Sequence, residues 1–437
     1  PYFCSATETV ADLANAAILK WRNPPNHKLE AQAATLPPLA PAPLLAAPTT
    51  PLTALPALQD PMLGHSTNAR NLAYIDVFVD DFIGLGQGKP ANLSHIRRTL
   101  LHTLDEVFRG LDNLDGPHRK EPASTKKLKQ GDAYWATRKL ILGWIIDTIQ
   151  MTLELPPHRK ERLQAILDDI PSTQRRISVK KWQQVLGEIR SMAIAIPVSR
   201  GLFSLLQEAL RHQTDGRIRL SKGVHDTLDD FRWLAADLAS RPTRLYEIVP
   251  QPDPELLGAQ DACGVGMGGV WFPTSTNLHE RNETTHHGPL LWGAPFDEDI
   301  SADLVTFENP QGTITNSDLE LAAGLVQNDV AAHAFDIREQ TIASGSDNTP
   351  TLAWQKKGST TTTSAPAYLL RVQALHQRFH RYHPTHSYIP GLFNVMADDV
   401  SRLYQLTDSQ LLTYFDSKYP QTLPWRMWHP RPGCFPP

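Results

Sequence analysis

Two apolar runs flank a pair of polar positions at residues 74–86, Tyr-Ile-Asp-Val-Phe-Val-Asp-Asp-Phe-Ile-Gly-Leu-Gly. An apolar, β-branched run climbs to two adjacent carboxylates and a second apolar run leaves them. This predicts a strand, a tight turn carrying Asp80 and Asp81, and a returning strand. Glycines at 84 and 86 allow backbone or a ligand to come close. Upstream, Phe3, Ala6, Val10, Leu13 and Ile18 fall on one face of a helix over 1–22. Residues 34–62 are dominated by Pro, Ala, Leu and Thr, with almost no charge before Asp60. Proline at that density blocks helix and sheet ladder alike, so this stretch reads as an irregular insertion. After the hairpin, Ile96, Leu100, Leu101, Leu104, Val107 and Phe108 line one face of a helix over 93–109, with Ser94 as its cap.

Further along, residues 139–157 are rich in Ile and Leu and alternate from Ile149 to Leu155. They predict a two- or three-stranded unit closed by Pro156 and Pro157. The period then turns helical, with helices over 158–170, 179–195 led by Ser178, 199–211 and 221–241. Near Pro250 the pattern changes again. Residues 256–272 read as a strand holding Asp261, a glycine-rich turn and a returning strand, and 273–312 as loop. The glycines lack the Gly-Lys-Ser/Thr of a phosphate cradle. A helix over 316–333 carries Glu320 in its first turns, and Asp347 follows a short run at 341–346. The Ser/Thr run at 359–364 reads as loop, 367–380 as helix, and 388–403 ends in Asp398 and Asp399 at a helix start. The predicted organisation is 1–115, 116–245, 250–410 and a Pro-rich, aromatic tail at 411–437.

Composition narrows the partners. The chain has 437 residues, 41 % apolar, with a net charge of −4. It is not basic overall, so nucleic-acid binding requires a local basic face. Such a face exists between His118 and Arg190, where Lys and Arg exceed acids by about seven, including Lys126, Lys127 and Lys129. The cysteines Cys4, Cys263 and Cys434 are too far apart in sequence for a zinc pattern or a disulfide framework, which fits a reducing, intracellular compartment. No apolar run approaches the length of a membrane span.

Four spaced acids in the second half, Asp261, Glu320, Asp347 and Asp398, are candidates for a two-metal phosphodiester site. Taken singly, each is a common cap, turn residue or solvated charge; their order in local context is more specific. Asp261-Ala-Cys-Gly, Glu320-Leu-Ala-Ala, Ser346-Asp347-Asn348 and Asn394-Val-Met-Ala-Asp398-Asp-Val-Ser-Arg together resemble a retroelement ribonuclease H domain. The resemblance implies that these four acids hold two Mg²⁺ (or Mn²⁺) ions and that the domain cuts RNA paired with DNA. Asp399 is the less suited member of its pair, and His383 and His386 do not match the family's histidine motif.

The first half is similar to a reverse transcriptase, an RNA-directed DNA polymerase. Phe78-Val-Asp80-Asp81 resembles the aromatic-x-Asp-Asp palm motif, Leu142-Gly143-Trp144 the primer-grip hairpin, and Val185-Leu-Gly-Glu-Ile-Arg190 part of the thumb and connection. The chain thus resembles a retrotransposon polyprotein of LTR or DIRS type. The implied fold class is α+β and α/β: a partial palm and helical thumb/connection, followed by a ribonuclease H-like mixed sheet. The implied catalytic metal ligands are Asp80, Asp81, Asp261, Glu320, Asp347 and Asp398. By the resemblance Lys126, Lys127, Lys129, Gly143 and Trp144 would contact template–primer or RNA–DNA hybrid; taken singly, Trp144 reads as core and the three lysines as a solvated loop. The chain starts at Pro1 on what reads as mid-domain sequence, and the family's first palm Asp and fingers lie upstream of it. Asp76 is about 13 Å from Asp80 at 3.3 Å per residue, too far to share an ion. Weak polymerisation by a fragment is therefore expected. A decayed, non-catalytic remnant that binds nucleic acid is the alternative.

Overall fold

The computed structural model describes residues 2–20, 24–37, 72–109, 121–193, 196, 199–274, 288–361 and 365–430. Most of the expected insertion, at 38–62, lies outside the described residues, as do His118, Arg119 and Lys120. The fold is mixed α and β, in two compact units, Pro1–Thr137 and Arg138–Pro437.

In the first unit residues 74–86 fold as the expected hairpin. Strands Ala73–Phe78 and Asp81–Gly86 pair antiparallel, with Phe78 opposite Asp81. Val79 turns the chain at φ 61°, a left-handed conformation that is unfavourable for a β-branched residue. Thr7, on helix Tyr2–Lys20, donates a 2.8 Å hydrogen bond to the Val79 carbonyl and holds the turn. From the same helix the Asn15 amide exchanges two 2.8 Å bonds with the Ile75 backbone, satisfying the free edge of that strand. Ala11, Ala14, Ile75 and Ile96 form the small core between them. The next helix spans Pro90–Arg109 and so begins before Ser94, which lies inside it and is not its cap. Pro90 is pre-set for a first helical turn, and the Lys89 carbonyl accepts from the Asn92 and Leu93 amides. Gly84 and Gly86 admit protein and not a ligand. A Cβ on Gly84 would stand 3.0 Å from Trp135, and one on Gly86 would stand 2.8 Å from Leu93.

The second unit opens with strands Arg138–Ile141, Trp144–Asp147 and Thr152–Glu154, extended by Thr243–Arg244. Leu142 and Gly143 turn the first pair, both at positive φ. Helices Pro157–Asp168, Val179–Met192, Ser204–Arg211 and Lys222–Ser240 follow, with Ser178 and Ser221 capping two of them. The expected helix over 199–211 is a 3₁₀ turn, Ser199–Phe203, running into the helix from Ser204. Trp144, Trp182, Leu186, Leu206 and Phe231 are buried in the core of this segment.

The six-stranded sheet comes next. Its elements are β1 (Leu256–Cys263), β2 (Gly266–Pro273), β3 (Leu290–Pro295), α1 (Asn316–Ala334), β4 (Thr341–Ser346), α2 (Thr349–Lys357), α3 (Ala365–His380), β5 (His383–Tyr388), α4 (Val395–Arg402), α5 (Asp408–Lys418) and β6 (Arg426–Trp428). The sheet order is β5-β4-β1-β2-β3-β6. The β1–β3 meander is antiparallel, while β4 joins β1, β5 joins β4 and β6 joins β3 in parallel. This is the mixed sheet expected of the ribonuclease H-like class. Two sequence expectations are corrected. The loop expected at 273–312 contains β3, which shows no alternation because Leu290, Leu291 and Trp292 are all buried. The tail expected from 411 is α5 and β6, which bury Leu411, Phe415 and Trp425 against Val270 and Leu291.

Helix α3 ties the sheet to the helical segment. Arg378, fully buried, donates from Nε to Asp237 at 2.6 Å and from a terminal nitrogen to Thr243 at 2.6 Å. Glu247, also fully buried, stands 3.4 Å from the same guanidinium, so the charge is compensated by two carboxylates.

Candidate active site

The acids on β1, α1 and β4 meet. Asp261 sits in the second half of β1, Glu320 in the second turn of α1, and Asp347 directly after β4. Each offers one carboxylate oxygen, and these oxygens all lie within 4.8 Å of one another. The parallel pairing of β4 with β1 brings the end of β4 beside Asp261, and α1 packs on the sheet with Glu320 facing β1.

Neighbouring residues of the same motifs hold these acids. Ser401 Oγ donates to Asp261 Oδ2 at 2.8 Å, and Ser346 Oγ donates to Glu320 Oε2 at 3.4 Å. The Asn394 amide donates to the Gln260 carbonyl at 3.0 Å, anchoring the start of α4 beside Asp261. Gly268, opposite Asp261 on β2, is needed for that approach, because a Cβ there would stand 2.7 Å from Val400 and 2.8 Å from the Ser401 nitrogen. Ser401, Ser346 and Asn394 were not assigned roles from sequence. The signal was present, since all three stand inside the matched motifs.

Three carboxylates in one buried place oppose their own ionisation. Burial is the main cause that pushes Asp261 up to about 6, offset by the Ser401 hydrogen bond and reinforced by Asp398 and Asp347. Burial, then Asp261 and Asp347, push Glu320 up to about 8. A cation among the oxygens would remove this conflict. The donors are all carboxylate oxygens, the set that a hard divalent ion prefers.

Asp398, in the first turn of α4, lies close enough to raise Asp261 but is outside the trio. It is 42 % exposed and takes a 2.8 Å hydrogen bond from Arg402 Nε. Asp399 is committed elsewhere, accepting from Tyr414 at 3.0 Å, Tyr419 at 2.7 Å and Lys418 at 2.7 Å. The lip of the site carries apolar side chains. Gly391 lies against Asp347, and the next residues, Leu392 and Phe393, are 87 % and 76 % exposed.

The first unit is different. Asp80 and Asp81 are exposed at the hairpin tip, and Lys127 Nζ sits 3.0 Å from Asp81 Oδ1. Among the described residues no third metal-ligating side chain joins them. Lys126 and Lys129 are exposed on the short helix Thr125–Lys129, whereas Lys127 is engaged by that ion pair. Trp144 is 3 % exposed and packed in the helical core, which agrees with its reading as a core residue and not as a nucleic-acid contact. The neighbouring Gly143 carbonyl accepts from Arg159 at 3.1 Å.

Comparison with protein-family models and with curated proteins finds no match. Among solved structures the chain is similar to the foamy viral protease–reverse transcriptase. The complex with double-stranded DNA is 14 % identical, with a TM-score of 0.32, covering 73 % of this chain and 55 % of that one. The complex with an RNA/DNA hybrid has the same identity and score, covering 74 % and 36 %. The chain thus spans between about a third and just over half of these neighbours' length.

Proposed function

We propose that the sheet domain is a divalent-cation-dependent nuclease that cleaves the RNA strand of an RNA–DNA hybrid. The observation that carries this reading is the convergence of Asp261, Glu320 and Asp347 within 4.8 Å. The choice of substrate rests on the motif resemblance. Asp261, Glu320 and Asp347 would hold Mg²⁺ or Mn²⁺, with Asp398 completing the set from the exposed side. When bound, the ions activate water and neutralise charge on the phosphodiester.

The protein's own residues prepare this site. Ser401 favours the ionised form of Asp261 and fixes its rotamer. Ser346 does the same for Glu320. Arg402 holds Asp398 at the mouth, where a phosphate can displace it from the carboxylate. Leu392 and Phe393 offer an apolar edge for a base or ribose beside Asp347. The hairpin at Asp80 and Asp81 has a second reading. Its ion pair with Lys127 favours a structural role for Asp81 over a catalytic one.

The test is cleavage of a labelled RNA–DNA hybrid with Mg²⁺ or Mn²⁺, comparing the chain with Asp261→Asn. Cleavage that is lost in the variant supports the proposal. Equal rates, or none in either protein, would overturn it and favour the non-catalytic remnant.

A further inference from the structure

A second cluster of metal-ligating side chains lies away from the acid site. Asp329 and His333 are one turn apart on α1, and His376 and His380 are one turn apart on α3. The two helices pack together, so both pairs face one another. Asp329, His376 and His380 each offer one ligand atom, and these lie within 4.8 Å of one another. They are 2 %, 0 % and 7 % exposed. Asp329 Oδ1 is 3.1 Å from His376 Nε2 and 3.3 Å from His333 Nδ1. The His333 and His380 rings are 5.4 Å apart, and the His376 and His380 rings 4.3 Å.

We infer that Asp329, His376 and His380 form a Zn²⁺ site joining α1 to α3. The donor set, two imidazoles and one carboxylate, suits a tetrahedral Zn²⁺ with its fourth position open. Ligand atoms of such a site stand about 3.3 Å apart for bonds of about 2.05 Å, which matches the spacings around Asp329. Asp329 is a buried carboxylate, and among the described residues no Lys or Arg forms an ion pair with it. A carboxylate in that position needs a compensating positive charge, which a divalent ion supplies. The orienting contact is also present, because Tyr382 Oη, fully buried, lies 3.0 Å from His376 Nδ1 and leaves Nε2 toward Asp329. His333, 25 % exposed, turns its Nδ1 to the Asp329 backbone carbonyl at 2.9 Å and lies beside the site on its exposed side. Asp329 is nine residues beyond Glu320, about 13.5 Å along α1 and half a turn around it, so this site is independent of the acid cluster.

The experiment is Co²⁺ titration of the untagged full chain after chelator treatment, read by the visible absorption of tetrahedral Co²⁺. One equivalent should give the intense tetrahedral band, and Zn²⁺ should displace it. His376→Ala and His380→Ala should lose the band, and Tyr382→Phe should weaken affinity about tenfold or more. Asp261→Asn should bind Co²⁺ at this site as the unaltered chain does. The absence of a tetrahedral band in the unaltered chain would overturn the inference. So would a band kept at full affinity in His376→Ala and His380→Ala, or one lost in Asp261→Asn.

Discussion

Ser401 Oγ stands 2.8 Å from Asp261 Oδ2 and donates to it across the gap between α4 and β1. Two motifs separated by 140 residues thereby become one site. The bond favours the ionised carboxylate, the form that binds a cation. Ser401→Ala should therefore raise Asp261 further above its present value of about 6. Hybrid cleavage should fall about tenfold, with the acid limb of the pH–rate profile moved to higher pH. Unchanged pH dependence would show that Ser401 only packs α4.

The raised carboxylates make stability and metal binding pH-dependent. Asp261 and Glu320 move from 3.8 and 4.5 to about 6 and about 8. Between those limits the metal-free folded chain holds more protons than the unfolded chain, so its stability falls as pH rises through the window. A cation must displace those protons, so its affinity rises over the same range. Scanning calorimetry should show Mn²⁺ raising Tm more at pH 8 than at pH 6. A shift of equal size at both values would contradict this.

Trp144 is a core residue, 3 % exposed among the helices of the second unit. Trp144→Ala should destabilise the chain by about 3–5 kcal/mol, seen as a lower urea midpoint. The affinity of the folded fraction for hybrid should not change. Lost affinity without lost stability would restore a nucleic-acid role.

Phe393, 76 % exposed beside the acid cluster, presents a ring to solvent. Phe393→Ala should raise KM for hybrid about fivefold, equivalent to ~1 kcal/mol of stacking. Stability should stay within about 0.5 kcal/mol. An unaltered KM would remove Phe393 from the substrate path.

Elements with one solvated face were the legible ones. The helix Val179–Met192 showed its period because polar positions separate the buried face of Trp182, Val185, Leu186, Ile189 and Met192. Strand β3 was hidden, since Leu290, Leu291 and Trp292 are buried and interrupt no alternation. Helix α5 and β6 looked like a tail because each is short and β6 pairs with β3, a strand that was itself unseen. At the acid site, the order of motifs indicated which acids should meet, but separating Asp398 from the trio required the fold. The ion pair of Lys127 with Asp81 spans 46 residues, and local charge counting gave no hint of it. The Asp329 and His376 pairing was equally silent. One-turn spacings such as Asp329–His333 read as ordinary polar positions until α1 and α3 are packed together.

The central claim is that Asp261, Glu320 and Asp347 act as one cation-holding unit that cleaves RNA in a hybrid. The most direct measurement is the single-turnover rate on an RNA–DNA hybrid in Mn²⁺ for the unaltered chain, Asp261→Asn and Glu320→Gln. The account predicts Mn²⁺-dependent cleavage that falls by at least about a hundredfold in both variants, with circular dichroism unchanged. Cleavage that persists in both variants, or none by the unaltered chain in Mn²⁺, would contradict it.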